Sequence, residues 1–408
     1  MKSFLLKQID NAGLIIFRFL FGLLISAECY GAILTGWVRL NLVEPKYNFT
    51  FIGFEWLSTM TGSGMYFYFF IMGTLGVLIT LGYKYRFSML AFTLMWAGVY
   101  LMQKTSYNNH YYLLLLISGI MVFFPANVDY SLDAKNNPEI RTKKMHALYK
   151  WIIVLQLFIV YTYASVAKLY AGWLDLDFFG VLMRSKADYP IIGGLLQEPW
   201  LHKIMSVFGI VFDLLVIPAL LWKPARKIAF GCAIFFHLFN SVVFQIGIFP
   251  FMALAFTVFF FEPKMLRRKF LKKEFSYPDI QLKKPQFFSL MLVCWSIYFI
   301  IQIGLPVRHF FFKDDVLWTE EGHRLSWRMM LRSRGGTVTF TTVNKETGEK
   351  NRIDLNNYLS KKQQSRIGGY PDFIWQFAQH IKRLKAAQGE DVAIYVRCRV
   401  RINGRRSK

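Results

Sequence analysis

Three side chains share one helical face near the end of an apolar stretch. Lys168 closes this stretch, and Ser165 and Tyr161 precede it by three and seven residues, which places all three on one side of a helix. Ionisable groups inside spanning stretches cost about 2.5–3.5 kcal/mol each, so they are candidates for function. Lys168 is interpreted either as a lysine that snorkels to the membrane interface or as a desolvated, neutral amine that acts as a base.

Two histidines and their neighbouring amides are further candidates. His110 follows Asn108 and Asn109 at the start of another apolar stretch, at the same outer depth as the lysine. His237 and Asn240 lie one turn apart in an otherwise apolar helix. Such polar groups often only tie helices together, so a structural role and a functional role both stay open.

Arg18 and Asp213 also lie within apolar stretches and need partners. They could neutralise each other or neighbouring groups, and a structural role is the favoured interpretation. The chain has no Cys/His spacing for zinc, no nucleotide-binding loop and no Ser-His-Asp order. One amine, two imidazoles and several amides fit proton abstraction beside an apolar ligand better than metal-assisted hydrolysis or phosphoryl transfer.

The composition indicates that these groups are positioned by membrane-spanning helices. Hydrophobic residues make up 54% of the chain and charged residues 18%, against about 25% charged in an ordinary soluble domain. A spanning helix needs about 20 mostly apolar residues, and a polar group near Gln245 and Gly247 divides one long stretch in two. We therefore predict an all-α polytopic membrane bundle of about nine transmembrane helices. The predicted spans are Gly13–Leu34, Tyr66–Leu81, Phe87–Met102, His110–Phe124, Tyr149–Ala167, Met205–Leu221, Ile228–Phe244, Ile246–Phe261 and Phe287–Gly304.

The distribution of basic residues predicts the orientation. A net charge of +24 could suggest nucleic acid, but the charges follow the gaps between spans. With the N-terminus inside, the inner segments carry 19 Lys and Arg residues and the outer loops carry 6, as the positive-inside rule requires. Nine crossings then put the C-terminus outside, and the outer segment Tyr170–Lys203 is long enough to form a partial lid. The first span is not expected to be a cleaved signal, because Arg18 interrupts it.

The character of the chain changes after Pro306. Alternating residues predict strands and a turn, and an amphipathic pattern predicts one helix. We expect a transmembrane catalytic domain over 1–304 and a small extracytoplasmic α+β domain over 305–408. The basic surface of this second domain would favour acidic partners or anionic headgroups, unless it is only a solvated face. Its predicted elements are strands at Thr337–Val343, Lys350–Leu355 and Asp391–Ile402 and a helix at Pro371–Ala386.

Five stretches together resemble the vitamin K-dependent gamma-glutamyl carboxylases, as a bacterial-type homologue with an HTTM domain. Two of them, an N-N-H motif and an F-H-x-x-N-S motif, are specific. The five stretches are Ile16-Phe-Arg18-Phe-Leu-Phe-Gly22, Lys104-Thr-Ser-Tyr-Asn108-Asn109-His110-x-Tyr112-Leu113, Ala167-Lys168-Leu169 with Trp173, Phe236-His237-x-x-Asn240-Ser241 with Phe244 and Ile246-Gly247-x-Phe249, and Ser326-Trp327-x-Met329-Met330 with Ser333-Arg334.

The resemblance implies a reaction of the reduced vitamin K hydroquinone. The quinol loses a proton and reacts with dioxygen, which creates a much stronger base. That base removes a γ-proton from a glutamyl side chain, the carbanion attacks carbon dioxide, and the quinol leaves as its epoxide. An apolar pocket suits both an isoprenoid tail and the exclusion of water from a strong base.

The resemblance also implies roles for individual residues. Lys168 would be the initiating base, and His110 and Asn109 would stabilise or orient the reacting species. The family often has acidic residues just after the lysine, whereas this chain has Tyr170 and Gly172. The residues assigned to the quinone pocket are His237, Asn240, Asn108 and Tyr161, and those assigned to the glutamyl substrate are Gln302, His309 and Arg334.

The implied cofactors are a menaquinol-type vitamin K hydroquinone, O2 and CO2, with no metal. The expected partners are a glutamyl-containing peptide or protein, quinone and lipid, with no nucleic acid. A bacterial inner membrane with a periplasmic C-terminal domain is the expected location. Two alternatives stay open: a quinol epoxidase without carboxylation, and a non-enzymatic membrane protein that binds quinone or lipid.

Overall fold

The computed structural model describes residues 2–406, except 273–274, 276 and 278–280. One of the 19 basic residues assigned to the inner segments, Lys273, lies outside the described residues. So do Ser407 and Lys408. Within the described part, helices coincide with the predicted spans to within three residues, except that the sixth begins six residues before its predicted start. They are α1 (Ala12–Leu34), α2 (Gly64–Leu81), α3 (Tyr85–Met102), α4 (Asn109–Val122), α5 (Ala147–Val166), α6 (Pro199–Leu221), α7 (Arg226–Phe244), α8 (Phe249–Phe256, continued by a 3-10 turn at Thr257–Phe260) and α9 (Phe288–Val307).

Six of these helices are long and apolar enough to cross a membrane, counted over the described residues only. The six are α1, α2, α5, α6, α7 and α9. Helices α4 and α8 are apolar but shorter, and α3 is 18 residues long but more polar. The protein is therefore a mostly helical membrane protein, and the count of nine crossings stays a prediction.

The predicted division between the seventh and eighth spans is confirmed. Helix α7 ends at Phe244, and Gln245 follows with a φ of 51°. Gly247 has a φ of 66°, a left-handed conformation that glycine adopts without steric cost. Two left-handed residues within three positions reverse the chain, so that α8 packs beside α7 instead of extending it.

Helices α1 and α2 approach each other closely because small residues line their contact. Ser26 on α1 donates a hydrogen bond from its hydroxyl to the carbonyl oxygen of Gly73 at 3.0 Å. A Cβ built on Gly76 would lie 2.8 Å from the backbone nitrogen of Ser26. A Cβ on Gly22 would lie 2.5 Å from the backbone nitrogen of Thr80. This small-residue packing brings the two backbones together as in other membrane helix pairs.

Arg18 and Asp213 do not neutralise each other. The buried Arg18 guanidinium donates to the carbonyl oxygens of Ala126 at 2.8 Å and Tyr130 at 2.6 Å, and also to that of Asp129. It thereby holds the loop between α4 and α5 against α1. The antiparallel strands β1 (Gln8–Asp10) and β2 (Lys144–His146) join the end of the same loop to the N-terminal segment.

The C-terminal region contains a four-stranded antiparallel sheet covered by helices, counted over the described residues. Its elements are β3 (Arg334–Asn344), β4 (Lys350–Arg352), α10 (Lys361–Ile367), α11 (Pro371–Ala387), β5 (Val392–Ile402) and β6 (Arg405–Arg406), and the order of strands is β4-β3-β5-β6. The predicted helix and the first and last predicted strands are confirmed. The strand predicted at Lys350–Leu355 ends at Arg352, and Leu355 begins a 3-10 turn. Helix α10 was not predicted, and further short helices lie at Ala171–Leu174, Asp177–Arg184 and Val316–Thr319.

The loop between α1 and α2 completes the core of this domain. Phe49, from the loop between α1 and α2, is fully buried in one cluster with Phe340, Phe377 and Ile381. Its ring stacks on Phe373 of α11, with 4.5 Å between the ring centres. The domain is thus fastened to the bundle by apolar packing.

The close approach of α1 and α2 predicts a large effect of one methyl group. Gly22→Ala should lower the free energy of unfolding by about 1–3 kcal/mol, because the new Cβ meets backbone that cannot move away. Gly231→Ala in α7 is the matched control, since a Cβ there has no atom within 4 Å. Thermal unfolding in detergent would measure both. Equal melting temperatures for the two variants would contradict the packing argument.

Candidate active site

An apolar cavity of about 250 Å³ lies between the C-terminal part of α5, the N-terminal part of α6 and the C-terminal part of α7. Its walls are mostly aromatic and aliphatic, and the segment expected to form a partial lid contributes Trp173, Phe178 and Phe179. A few polar side chains also line it, and most of them come from the motifs identified in the sequence. These polar residues are His110, Tyr161, Lys168, Asp213, His237 and Asn240.

Lys168 and Asp213 form an ion pair at this cavity. Each residue is 5% exposed, and the Lys168 ammonium donates directly to the Asp213 carboxylate. The ammonium also donates to the carbonyl oxygen of Ala164 at 3.1 Å and lies 5.4 Å from the ring centre of Trp173. Burial and a paired carboxylate distinguish Lys168 from a lysine that snorkels into water, because neither charge is solvated here.

His237 is held by Tyr161. The Tyr161 hydroxyl and the Nε2 atom of His237 are 3.0 Å apart. The Nδ1 atom of His237 is buried and has no hydrogen-bond partner among the described residues. Both side chains line the apolar cavity. A polar atom without a partner in an apolar wall is suited to hydrogen-bond a polar group of a ligand.

A second, polar cavity of about 1050 Å³ adjoins the first. It lies between the C-terminal part of α1, the start of α4 and the segment 320–334, which leads into the strand Arg334–Asn344. His110 lines both cavities, and its ring stacks on Phe249 with 3.8 Å between the ring centres. The residues common to both cavities are His110, Ile246, Phe249, Met329 and Met330. They form a thin partition between an apolar and a charged compartment.

The two asparagines of the N-N-H motif position His110. Asn108 caps α4, because its Oδ1 atom accepts from the backbone nitrogen of Tyr111 at 2.7 Å. Asn109 accepts from the Tyr107 hydroxyl at 2.9 Å and donates to the carbonyl oxygen of Arg328 at 3.1 Å. Both asparagines line the polar cavity. Asn108 is not among the residues around the apolar cavity in the described part of the chain, so its role in quinone binding stays a prediction.

A buried charge cluster joins the bundle to the C-terminal domain. Lys104 and Arg324 both bond to Asp372 of α11, the arginine through two hydrogen bonds of 2.8 and 3.1 Å. Burial lowers the pKa of Lys104 to about 8, although Asp372 opposes this shift. Burial alone would raise the pKa of Asp372, but Arg324 and Lys104 lower it below its usual value. Asp372 therefore remains a carboxylate that holds two cations at the edge of the polar cavity.

The three residues assigned to the glutamyl substrate lie in different places. Gln302 is buried, donates to the Tyr112 hydroxyl at 3.0 Å, and is not a wall residue of either cavity in the described chain. His309 contacts the Arg328 guanidinium at 3.4 Å. Arg334 lines the polar cavity, but its guanidinium bonds to Glu320 and to three backbone carbonyl groups. Arg334 thus holds the segment 320–334 in place.

Two acidic residues of the polar cavity were not predicted from the sequence. Glu28 of α1 lines the cavity and accepts a hydrogen bond from the Tyr111 hydroxyl at 2.8 Å. It is an ionisable residue within a predicted span, so the rule that singled out Arg18 would have found it. Glu320 bonds to Arg332 and Arg334, and no local sequence pattern marks it.

The fold and site define a helical membrane protein in which a buried lysine–aspartate pair faces an apolar cavity. Among the described residues, no group of three or more His, Cys, Asp or Glu side chains is placed to hold a metal ion. Residues 6–265 match the HTTM domain, and residues 288–408 match the lumenal domain of the vitamin K-dependent gamma-carboxylase. The chain therefore belongs to the vitamin K-dependent gamma-carboxylase family. No solved structure matches the chain.

The ion pair predicts strong coupling between Lys168 and Asp213. Lys168→Met or Asp213→Leu alone should lower the free energy of unfolding by about 3–5 kcal/mol, because each leaves an unpaired buried charge. The double variant should recover most of this loss, since no charge is left. Unfolding in detergent would measure all three variants. A double variant as unstable as the sum of the single ones would contradict the pairing.

Proposed function

We propose that this protein oxidises vitamin K hydroquinone to its epoxide in the apolar cavity and uses that reaction to carboxylate a glutamyl side chain in the polar cavity. The observation that carries the proposal is the pair of adjoining cavities with His110 in their common wall. One compartment has the character of a quinol site and the other has the character of a site for a charged side chain. The family membership supports the same reaction.

The residues of the apolar cavity fit a quinol. Its aromatic walls suit a naphthoquinol ring, and His237 offers a buried nitrogen without a partner. Ile204 of α6 and Phe235 of α7 line the cavity and are also largely exposed on the outside of the bundle. An isoprenoid tail would therefore leave the cavity between α6 and α7, directly into lipid.

In this proposal the proton shared within the ion pair first moves to the Asp213 carboxylate, which leaves Lys168 as a neutral amine. That amine takes the first proton from the quinol hydroxyl, and the anion left behind balances the charge of the protonated Lys168, so no isolated charge remains in the wall. Vitamin K hydroquinone, once bound, would supply with dioxygen the strong base that removes the glutamyl γ-proton. His110 lies in the partition, where it would face the glutamyl carbon from one side and the quinol from the other. The apolar walls exclude water, which would otherwise quench a strong base.

The direct test is an assay of purified protein with vitamin K hydroquinone, dioxygen, labelled bicarbonate and a glutamyl peptide. Epoxide and peptide-bound label are measured separately. Both products should form in the wild type. Epoxide without label, across a panel of glutamyl peptides, would favour a quinol epoxidase. Neither product would favour a protein that only binds quinone or lipid.

Lys168 variants test the proposed base. Lys168→Ala should abolish both epoxidation and carboxylation, because both begin with the same proton transfer. Lys168→Arg should not restore either activity, since a guanidinium stays protonated. Lys203→Ala is the control, as this lysine is outside both cavities in the described structure. Wild-type epoxidation by a folded Lys168→Ala protein would remove this lysine from the mechanism.

We further propose that both cavities open to the extracytoplasmic side, with a bacterial inner membrane as the setting. The basis is the excess of basic residues on the other side of the bundle. A reporter that works only in the cytoplasm, fused after Lys408, should therefore be inactive, whereas the same reporter fused before Met1 should be active. Activity of the C-terminal fusion would overturn the orientation or the count of nine crossings.

A further inference from the structure

The polar cavity carries an excess of positive charge. Six cationic side chains line it, and three carboxylates either line it or pair with those cations, which leaves an excess of three positive charges. The carboxylates are Glu28, Glu320 and Asp372. The cationic residues are Lys104, Arg324, Arg328, Arg332, Arg334 and Arg366. An excess of positive charge around a cavity favours an anionic ligand.

Most of the arginines from the segment 320–334 are already engaged. Arg324 bonds to Asp372 through two hydrogen bonds. Arg332 and Arg334 both bond to Glu320. Because these guanidinium groups have carboxylate partners, they hold the walls of the cavity in shape and are poorly placed to take a further anion.

Arg328 differs from these three. It is 8% exposed and lines the polar cavity, yet within the described structure no carboxylate lies within ion-pair distance of it. Its Nε atom has no hydrogen-bond partner among the described residues, and its Nη1 atom lies 3.4 Å from the Nε2 atom of His309. A buried guanidinium without a counter-ion is costly unless an anion completes it.

The backbone on both sides of Arg328 is held in an uncommon conformation. Leu325, Trp327 and Met330 have φ values of 59°, 56° and 48°, a left-handed region that costs non-glycine residues free energy. Trp327 is fully buried and stacks on Tyr112 with 4.9 Å between the ring centres. Asn109, directly before His110, fixes the carbonyl group of Arg328. The guanidinium is therefore carried on a rigid segment tied to the residue that precedes His110.

We propose that Arg328 is the anchor for a carboxylate of the polypeptide substrate, and that the polar cavity selects acidic segments with more than one carboxylate. This inference rests on the proposed function for the identity of the substrate. Arg328 binds one carboxylate through paired hydrogen bonds, a geometry that suits guanidinium groups. The remaining positive charge attracts neighbouring acidic side chains of the same segment, and the volume of about 1050 Å³ accommodates several residues.

Binding is measured without quinol, so that it does not depend on turnover. The probe is a fluorescein-labelled peptide with several glutamates, and its twin has glutamine in their place. Detergent-solubilised wild type should bind the glutamate peptide at least about tenfold more tightly than the glutamine peptide. Free acetate or glutamate at millimolar concentration should not displace it, because a single small carboxylate lacks the further charges.

Arg328→Gln should weaken binding of the glutamate peptide by about tenfold or more and leave binding of the glutamine peptide unchanged. Arg328→Lys, which keeps the charge but loses the paired geometry, should fall between the two. Arg397→Gln is the matched control, because it removes the same charge from an exposed position on β5 and should bind like the wild type. In the carboxylation assay, Arg328→Gln should raise the KM for the peptide far more than it lowers kcat.

Several outcomes would overturn the proposal. They are equal wild-type affinity for both peptides, wild-type binding by a folded Arg328→Gln protein, and displacement by free acetate. If Arg328→Gln does not fold, Arg328→Lys and the wild-type preference between the two peptides decide the question. Selective binding by a wild type that makes neither epoxide nor labelled peptide would refute the proposed function and leave this inference standing.

Discussion

The site depends on one constraint: a charged amine cannot remain buried beside an apolar cavity without a counter-charge. Asp213 supplies that charge to Lys168 from a neighbouring helix, and the ring of Trp173 covers the pair. Because this contact joins Lys168, just after the end of α5, to Asp213 in the middle of α6, it fixes the two helices in one register. The cavity walls, the lid and the contact between Tyr161 and His237 are all built around this register. Removal of either charge would therefore disturb the shape of the pocket as well as its chemistry.

The proposed reaction has two conflicting requirements, and each cavity meets one of them. A strong base survives only where water is excluded, whereas an acidic side chain is drawn to a site only by fixed positive charge. The protein meets both requirements by placing apolar walls in the membrane bundle and charged walls on the segment 320–334 of the C-terminal region. Met329 and Met330 complete the apolar side of the partition and Arg328 lies beside them on the charged side. In the proposed reaction, the reacting atoms would need to cross only the thickness of one side-chain layer.

The helical stretches could be predicted because an apolar run of the required length has few other stable conformations in a membrane. The motifs also indicated that Lys168, His110 and His237 belong to one site. The sequence could not reveal that Asp213 pairs with Lys168, because helical periodicity gives the face of each residue but not the neighbouring helix. For the same reason Asp213 or a neighbouring group was considered as the partner of Arg18, whereas Arg18 bonds to backbone carbonyl groups. Arg334 fitted a family motif, yet its hydrogen bonds to distant carbonyl groups could be read only from the folded chain.

Phe49 belongs to the core of a domain that is synthesised some 300 residues after it. The ribosome releases the bundle loop first, and the sheet and α11 emerge last. The C-terminal domain therefore completes its core by packing on a loop of the bundle that is synthesised before it. The same docking step places the segment 320–334 against the bundle and so completes the wall of the polar cavity.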